Sequence, residues 1–281
     1  MTTSSETIAV DSIGQGDHVC GVFDRVSERH EVLIEYVDAG LAAGERVMVF
    51  LGTRPDEDLP ATFAHAGIDV AGATRRGALA FVPAADGYLR DLPFDPARLI
   101  AELHAAVDTA LADGHTGLRA TGDMGWAGGD VPGTERIEEY ERAVEEVYAT
   151  RPATGLCQYH RHEFPRERLQ ALCDGHRHVA QRPVVSENGL LRVHHLAAPG
   201  WLRVSGEADV TGATLLRDEV ARTQGEIHLD VRRLRFTDVC GLRPLAELAR
   251  ERRIVLHHPP ESLRRLVLLL RPSLPRFEIA T

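Results

Sequence analysis

The chain contains no lysine. Its 32 basic residues are all arginine, against 42 acidic ones, and the formal net charge is −10. A Walker A loop needs a lysine on the nucleotide phosphates, and a Schiff-base enzyme needs one to form its imine, so both classes are excluded. A negative chain without a basic cluster at either end is also poorly suited to nucleic acid or an anionic membrane surface, so neither DNA nor membrane is expected as a partner. Cysteine is scarce. Cys20, Cys157, Cys173 and Cys240 are scattered without a C-x-x-C pair, and read as small buried apolar groups rather than a disulfide framework. No apolar run is long enough to span a bilayer. The opening MTTSSETIAVDSIGQGD lacks a basic segment followed by an apolar one, so no secretory signal is visible and a cytoplasmic location is expected.

What is present is ample apolar material. Hydrophobic residues make up 43% of 281, enough for one large or two ordinary domains. After a polar leader over 1–16, strands and helices alternate. Residues 18–23, 46–51, 78–82, 117–121 and 155–159 read as strands, and 27–43, 57–66, 96–112, 134–150 and 166–172 as helices. Leu33, Val37 and Leu41 give the first helix a buried stripe, and Ile137, Tyr140, Val144 and Val147 do the same for the fourth. This alternation predicts a three-layer α/β domain with a mainly parallel sheet over 17–185. Pro183 and the turn-like 187–189 mark its end.

From 186 to 281 the rhythm changes, with strands over 191–196 and 201–204 and a helix capped by Asp209. The organising stretch of this half is IHLDVRRLRFTDVCGLRPLAEL at 227–248. It reads as a short buried strand ending at Asp230, a tight crossover, and a helix capped by Asp238, whose carboxylate accepts orphan N–H groups of the first turn. Gly241 permits close approach of another backbone or a partner. Leu242, Leu245 and Leu248 face a core. A strand over 254–257, a helix over 261–270 and a short strand over 277–279 complete a small α/β domain.

The pattern D-x(5)-F-x-D-x-x-G-L-x-x-L from Asp230 to Leu245, with G-x-x-D at Gly206 to Asp209, resembles STAS domains, the family of anti-sigma factor antagonists. The resemblance implies a protein partner of the anti-sigma factor or related kinase type, bound through Asp238, Val239, Cys240, Gly241 and Leu242. In that family the residue after the aspartate is commonly a serine controlled by phosphorylation. Here it is Val239, which has no hydroxyl, so that switch cannot operate at this position.

Five stretches of the first half resemble the MEDS sensory domain. They are H-x-C at His18 to Cys20, G-L-x-x-G-E at Gly40 to Glu45, T-G-D-M-x-W at Thr121 to Trp126, E-Y-E at Glu139 to Glu141, and C-x-Y at Cys157 to Tyr159. The resemblance implies the layered fold of RecA-like clock ATPases without a phosphate loop, and a role in sensing small molecules, with hydrocarbon derivatives proposed. His160 departs from the acidic residue common in the family. DNA-reading members carry a helix-turn-helix, so the output surface here is expected to be the C-terminal domain.

Ligands of open α/β sheets bind outside the carboxyl ends of the strands. With the motifs, this nominates His18, Cys20, Asp123, Met124, Trp126, Tyr159 and His160 for an unidentified small molecule. Trp126 has two readings, a pocket wall or a ring packed under its loop. His18, Cys20, Cys157, His160 and His162 invite a metal. However, Cys157 and His160 are an odd number apart and point to opposite faces, and no zinc spacing is present, so a structural role is preferred and no metal is expected. His176 and His178 read as surface groups. No G-x-S-x-G elbow occurs, and the Asp238 carboxylate opposes a thiolate at Cys240. The expectation is therefore a non-enzymatic signalling protein without catalytic residues or cofactor. The alternative is a nucleotide-binding or ATP-hydrolysing RecA-like protein.

Overall fold

The structure is a computed structural model and describes residues 6–53, 58–270 and 276–280. The chain divides into two compact units, Met1–Pro60 with Asp69–Arg182, and Ala61–Ile68 with Pro183–Thr281.

Among the described residues, the first unit is built on seven parallel strands, β1 (Glu6–Ala9), β2 (His18–Phe23), β3 (Arg46–Phe50), β4 (Leu79–Val82), β5 (Leu118–Asp123), β6 (Ala153–His160) and β7 (His178–Gln181). They lie in the order β1-β7-β2-β6-β5-β3-β4. The helices between them are α1 (Val26–Ala42), α2 (Leu59–His65), α3 (Val70–Arg75), α4 (Pro96–Ala112), α5 (Ile137–Thr150) and α6 (Arg166–Asp174). β5 and β6 are buried along their whole length, as expected of strands covered on both faces. Alternate side chains of β6 show which helix covers which face. Gln158 meets Arg29 of α1, whereas Cys157 and Tyr159 meet Glu141 of α5. Gly44 ends α1 with a φ of +75°, a conformation that glycine adopts without steric cost.

Departures from the sequence reading in this unit have local causes. Residues 6–9 of the polar leader form β1, which pairs with β7 from Glu6↔His178 to Ala9↔Gln181. Each strand has four residues without a hydrophobic alternation, so neither announces itself before the pairing exists. The short helix α3 has no counterpart in the sequence reading; Asp69 caps it by accepting the Gly72 N–H at 2.9 Å. The second predicted helix is α2, Leu59–His65, and its predicted start at Glu57 lies outside the described residues.

Among its described residues the second unit holds six strands, β8 (Val184–Glu187), β9 (Leu191–His195), β10 (Trp201–Ala208), β11 (Ile227–Thr237), β12 (Ile254–His257) and β13 (Phe277–Ile279), with α7 (Ala213–Arg222), α8 (Val239–Leu248) and α9 (Glu261–Leu270). The order is β13-β12-β11-β10-β9-β8. β8, β9 and β10 are antiparallel, and the pairs from β10 to β13 are parallel. Leu202, Leu229, Leu256, Leu216, Leu245 and Leu263 belong to its apolar core.

The tight crossover expected after Asp230 is absent. β11 continues to Thr237 and pairs with β10 as far as Ala208↔Thr237, with two register shifts on the way. Asp230 explains why the arginine-rich run stays extended: its carboxylate accepts from Arg203 at 2.9 Å and from Arg232 at 2.9 Å, so charges that resemble a turn are paired within the sheet. Val184–Glu187, read as the end of the first domain and a turn, is instead the edge strand β8.

Candidate functional site

Three features of the first unit carry chemistry: a charged cluster at the carboxyl ends of β5 and β6, a second cluster under α5, and an apolar cavity beside α4.

Asp123 ends β5 and His160 ends β6. The Asp123 carboxylate lies 3.5 Å from His160 Nε2 and 3.4 Å from Arg29 Nη2, and accepts the Gly125 N–H at 2.8 Å. Arg29 donates to Gln158, Gln158 donates to Thr121 at 2.7 Å, and the Thr121 hydroxyl donates to the Leu156 carbonyl at 2.9 Å. All five of these side chains are buried. A Cβ at Gly52 would stand 2.5 Å from the Asp123 carboxylate, so that position needs glycine. Glu163 adds a third possible ligand atom beside Asp123 and His160. The turn between β2 and α1 is Asp24-Arg25, with neither glycine nor lysine to cradle a phosphate.

Burial alone would raise the Asp123 pKa. The His160 hydrogen bond, the Arg29 charge and the Gly125 N–H outweigh it and hold the carboxyl below its ordinary value of 3.8. A carboxyl depressed on folding contributes stability that is fully present above 3.8 and is lost as pH falls through the native value. Asp123→Asn is therefore expected to cost about 1.5–3 kcal/mol at neutral pH, the range for hydrogen bonds to charged groups. The gap from wild type should close as pH drops below 3.8. Urea unfolding in a Trp201→Phe background, followed by Trp126 fluorescence over a pH series, checks this. A gap independent of pH would refute the charge assignment.

The second cluster gathers His18 from β2, Glu141 from α5, Cys157 from β6 and His176 after α6. His18 Nε2 lies 3.4 Å from Glu141 Oε2 and 3.4 Å from Cys157 Sγ, and His176 Nε2 lies 3.3 Å from Glu141 Oε2. Tyr159 donates its hydroxyl to Glu141 Oε1 at 2.6 Å. The rings of His18 and His176 are 4.1 Å apart. Burial works against charge on His18, but Glu141 and Glu145 overcome it and raise its pKa. Burial also works against the Glu141 carboxylate, which His176, His18 and Tyr159 nevertheless hold below the ordinary range. His176 is pushed down to about 4 by burial and by repulsion from His18. Burial and the nearby Glu141 raise the Cys157 thiol.

The seven nominated ligand residues thus do not form one pocket. His18, Cys20 and Tyr159 lie on the α5 and α6 face, and Asp123 and His160 at the strand ends beside α1. Met124 and Trp126 belong to the apolar core, where the indole packs 5.3 Å from Tyr88 and 5.0 Å from Phe94. Of the two readings of Trp126, the packed one holds, since only 3% of it is exposed. His176 is buried, which corrects its placement on the surface; His178 is partly buried, with Nε2 3.6 Å from Asp17. The sequence reading missed Glu141 and Arg29 as site groups, although a signal was present. Glu141 sits four residues after Ile137 and three before Val144, inside the apolar stripe of α5, and Arg29 sits four before Leu33 on α1.

The cavity lies between α4 and the sheet. It encloses about 270 Å³ lined by Met48, Phe50, Tyr88, Leu103, Tyr140 and Tyr148, with Asp86, Arg90 and Glu102 among its polar groups. None of the seven nominated residues lines it. An apolar cavity of about 150 Å³ already accommodates benzene, so this one has room for a small organic molecule.

In the second unit Asp238 caps α8, accepting the Gly241 N–H at 2.9 Å. Val239 and Cys240 are exposed, together with Phe236 and Val210. Two of the expected contact residues have other tasks. Leu242 is turned into the core, and a Cβ at Gly241 would meet the Ala208 carbonyl oxygen at 1.7 Å. Gly241 thus serves an approach within the domain, of α8 to β10.

A parallel sheet whose strand ends carry Asp123 and His160, and whose β2–α1 turn lacks a phosphate loop, defines an α/β domain of non-Walker type. The profile of the MEDS family, the MEthanogen/methylotroph, DcmR Sensory domain, matches residues 17–177, more than half of the chain, and the protein belongs to this family. No curated protein matches the chain. Among solved structures it is similar to the KaiC-like protein PH0186 from Pyrococcus horikoshii OT3, at 13% identity and a TM-score of 0.44, covering 70% of this chain and 88% of that one. It is also similar to the flagellar accessory protein FlaH from Methanocaldococcus jannaschii, at 10% identity and a TM-score of 0.43, covering 66% and 79%. No helix among the described residues is long and apolar enough to cross a membrane.

Proposed function

We propose that the protein is a signalling sensor whose MEDS domain binds a small apolar molecule and whose C-terminal domain, STAS-like, docks on a regulator of the anti-sigma factor type. The observation that carries this reading is the cavity beside α4. It is apolar, of ligand size, and bordered by Tyr88, Tyr140 and Tyr148, which supply flat faces and hydroxyls for an organic molecule. The docking face is the rim formed by Val210, Phe236, Val239 and Cys240 at the carboxyl ends of β10 and β11 and the start of α8. Val210, Phe236 and Val239, large apolar side chains exposed at these strand ends and this helix start, favour a protein contact over free solvent. With Val239 in the serine position, control falls to the sensor, and the ligand acts by shifting the population in which this rim is free.

Thermal-shift titration of the full chain with small aromatic and chlorinated hydrocarbons tests the sensor. A ligand at a hundredfold excess over its Kd adds about 2.7 kcal/mol of stability. Ala106→Trp, which fills the cavity, should abolish the shift. A shift unchanged by Ala106→Trp places the ligand elsewhere. The docking face is tested separately, by binding of a purified anti-sigma factor from the same organism to wild type and to Val239→Arg. Equal affinity, or none for the wild type, removes that half of the proposal.

A further inference from the structure

We infer that His18, Glu141, Cys157 and His176 form a closed tetrahedral zinc site that ties α5 and the segment following α6 to β2 and β6. The four side chains come from four separate elements, are all buried, and bring one ligand atom each within 4.8 Å of the others. The spacing is more specific than that. Zinc binds nitrogen and oxygen at about 2.0–2.1 Å and thiolate sulfur at about 2.3 Å, which makes the edges of the ligand tetrahedron about 3.3–3.6 Å. The separations are 3.4 Å for His18 Nε2 to Glu141 Oε2, 3.3 Å for His176 Nε2 to Glu141 Oε2, 3.4 Å for His18 Nε2 to Cys157 Sγ, and 3.6 Å for Cys157 Sγ to Glu141 Oε2. Four of the six edges thus have the length that a zinc ion at the centre requires, and the other two are within 4.8 Å.

The surroundings are those of a metal site as well. Metal-bound histidines hold their second nitrogen on a carboxylate or a backbone carbonyl, which fixes the ring and its tautomer. His18 Nδ1 lies 3.1 Å from Glu145 Oε2, and His176 Nδ1 lies 2.8 Å from the Leu172 carbonyl oxygen. Both rings therefore turn Nε2 toward the shared centre. The Tyr159 hydroxyl holds the other oxygen of Glu141 and leaves Oε2 facing inward. Charge balances too. Cys157 binds as the thiolate and both histidines as neutral imidazoles through Nε2, the displaced protons leaving to solvent. With the Glu141 carboxylate, the two negative charges then neutralise a divalent cation in a buried place where an unbalanced charge would be costly. A donor set of two imidazoles, one thiolate and one carboxylate is too soft for magnesium or calcium, which take oxygen ligands. All four positions are filled by protein, so the ion would hold the fold together rather than bind a reactant. No spacing in the sequence betrays the site, because its ligands are spread from residue 18 to residue 176.

The test uses the full chain, purified without chelator. Mass spectrometry should find close to one zinc per chain. Replacement by Co²⁺ should give the intense visible bands of a tetrahedral ion and a near-ultraviolet thiolate-to-cobalt band. Cys157→Ser should remove the latter, and Cys240→Ser should leave it. Glu145→Gln, which leaves all four ligands in place, should weaken zinc binding about 10- to 100-fold. Should Cys157→Ser fail to fold, the wild-type cobalt spectrum and the Glu145→Gln affinity still decide the matter. Folded wild-type protein that shows no thiolate-to-cobalt band overturns the site. So does a band that survives in folded Cys157→Ser, or a zinc affinity that Glu145→Gln leaves unchanged.

Discussion

Gly241→Ala is expected to destabilise the C-terminal unit by about 3 kcal/mol or more, at the upper end of overpacking effects. A single added methyl would lie 1.7 Å from the Ala208 carbonyl oxygen and 3.1 Å from Thr237 Oγ1, so α8 and β10 must separate. Both the cap from Asp238 and the burial of Leu242 and Leu245 depend on that approach. The chain has two tryptophans, Trp126 in the first unit and Trp201 in the second. Denaturant unfolding of Trp126→Phe protein therefore reports on the C-terminal unit through Trp201, without treating a two-unit chain as a single transition. An alanine variant with the parental midpoint would show that α8 does not need the contact. The same geometry makes Gly241 unsuitable for probing a partner, since its substitution breaks the domain before any partner is met. Val239 is the position to use.

The second large effect is expected at Arg119→Leu, with a loss of about 3–5 kcal/mol, because one member of a buried ion pair is then left without its countercharge. Arg119 and Glu45 are 2% and 1% exposed, and the Arg119 Nε–H donates to the Glu45 carboxylate. The guanidinium also donates to the Ile13 carbonyl at 3.1 Å and lies 4.7 Å from the centre of the Tyr36 ring. Glu45→Leu combined with Arg119→Leu should recover much of the loss, because the pair is costly to split and not especially stabilising as a unit. Unfolding of Trp201→Phe protein, read through Trp126, gives the four free energies of the cycle. Strict additivity would mean that the pair does not interact. This contact also gives the G-L-x-x-G-E motif a physical meaning. A Cβ at Gly40 would stand 2.4 Å from Arg119 Cδ, so the first glycine clears the path of the arginine and the final glutamate receives it.

Some of the molecule was legible without coordinates, because local chemistry decides it. The alternation of apolar strands with striped helices predicts the parallel sheet, and β2 to β6 lie where that alternation puts them. The odd spacing of Cys157 and His160 places them on opposite faces of β6, and they do take part in separate clusters. Asp238 caps α8 because a carboxylate one residue before a helix has orphan N–H groups in reach. The missing lysine leaves the chain without the phosphate-binding residue of a Walker A motif.

Other properties were decided only in three dimensions. β1 and β7 are too short to be recognised singly and exist because each supplies the other's hydrogen bonds. The length of β11 depends on Asp230 neutralising Arg203 and Arg232, which come from two strands. The candidate site changed most. Residues grouped by motif were distributed over two faces of the sheet and a core, while Glu141 and His176 joined His18 and Cys157. Periodicity records which side of its own element a residue faces. It carries no record of which helix covers that face, so a convergence of β2, α5, β6 and the end of α6 on one point arises only when the layers pack.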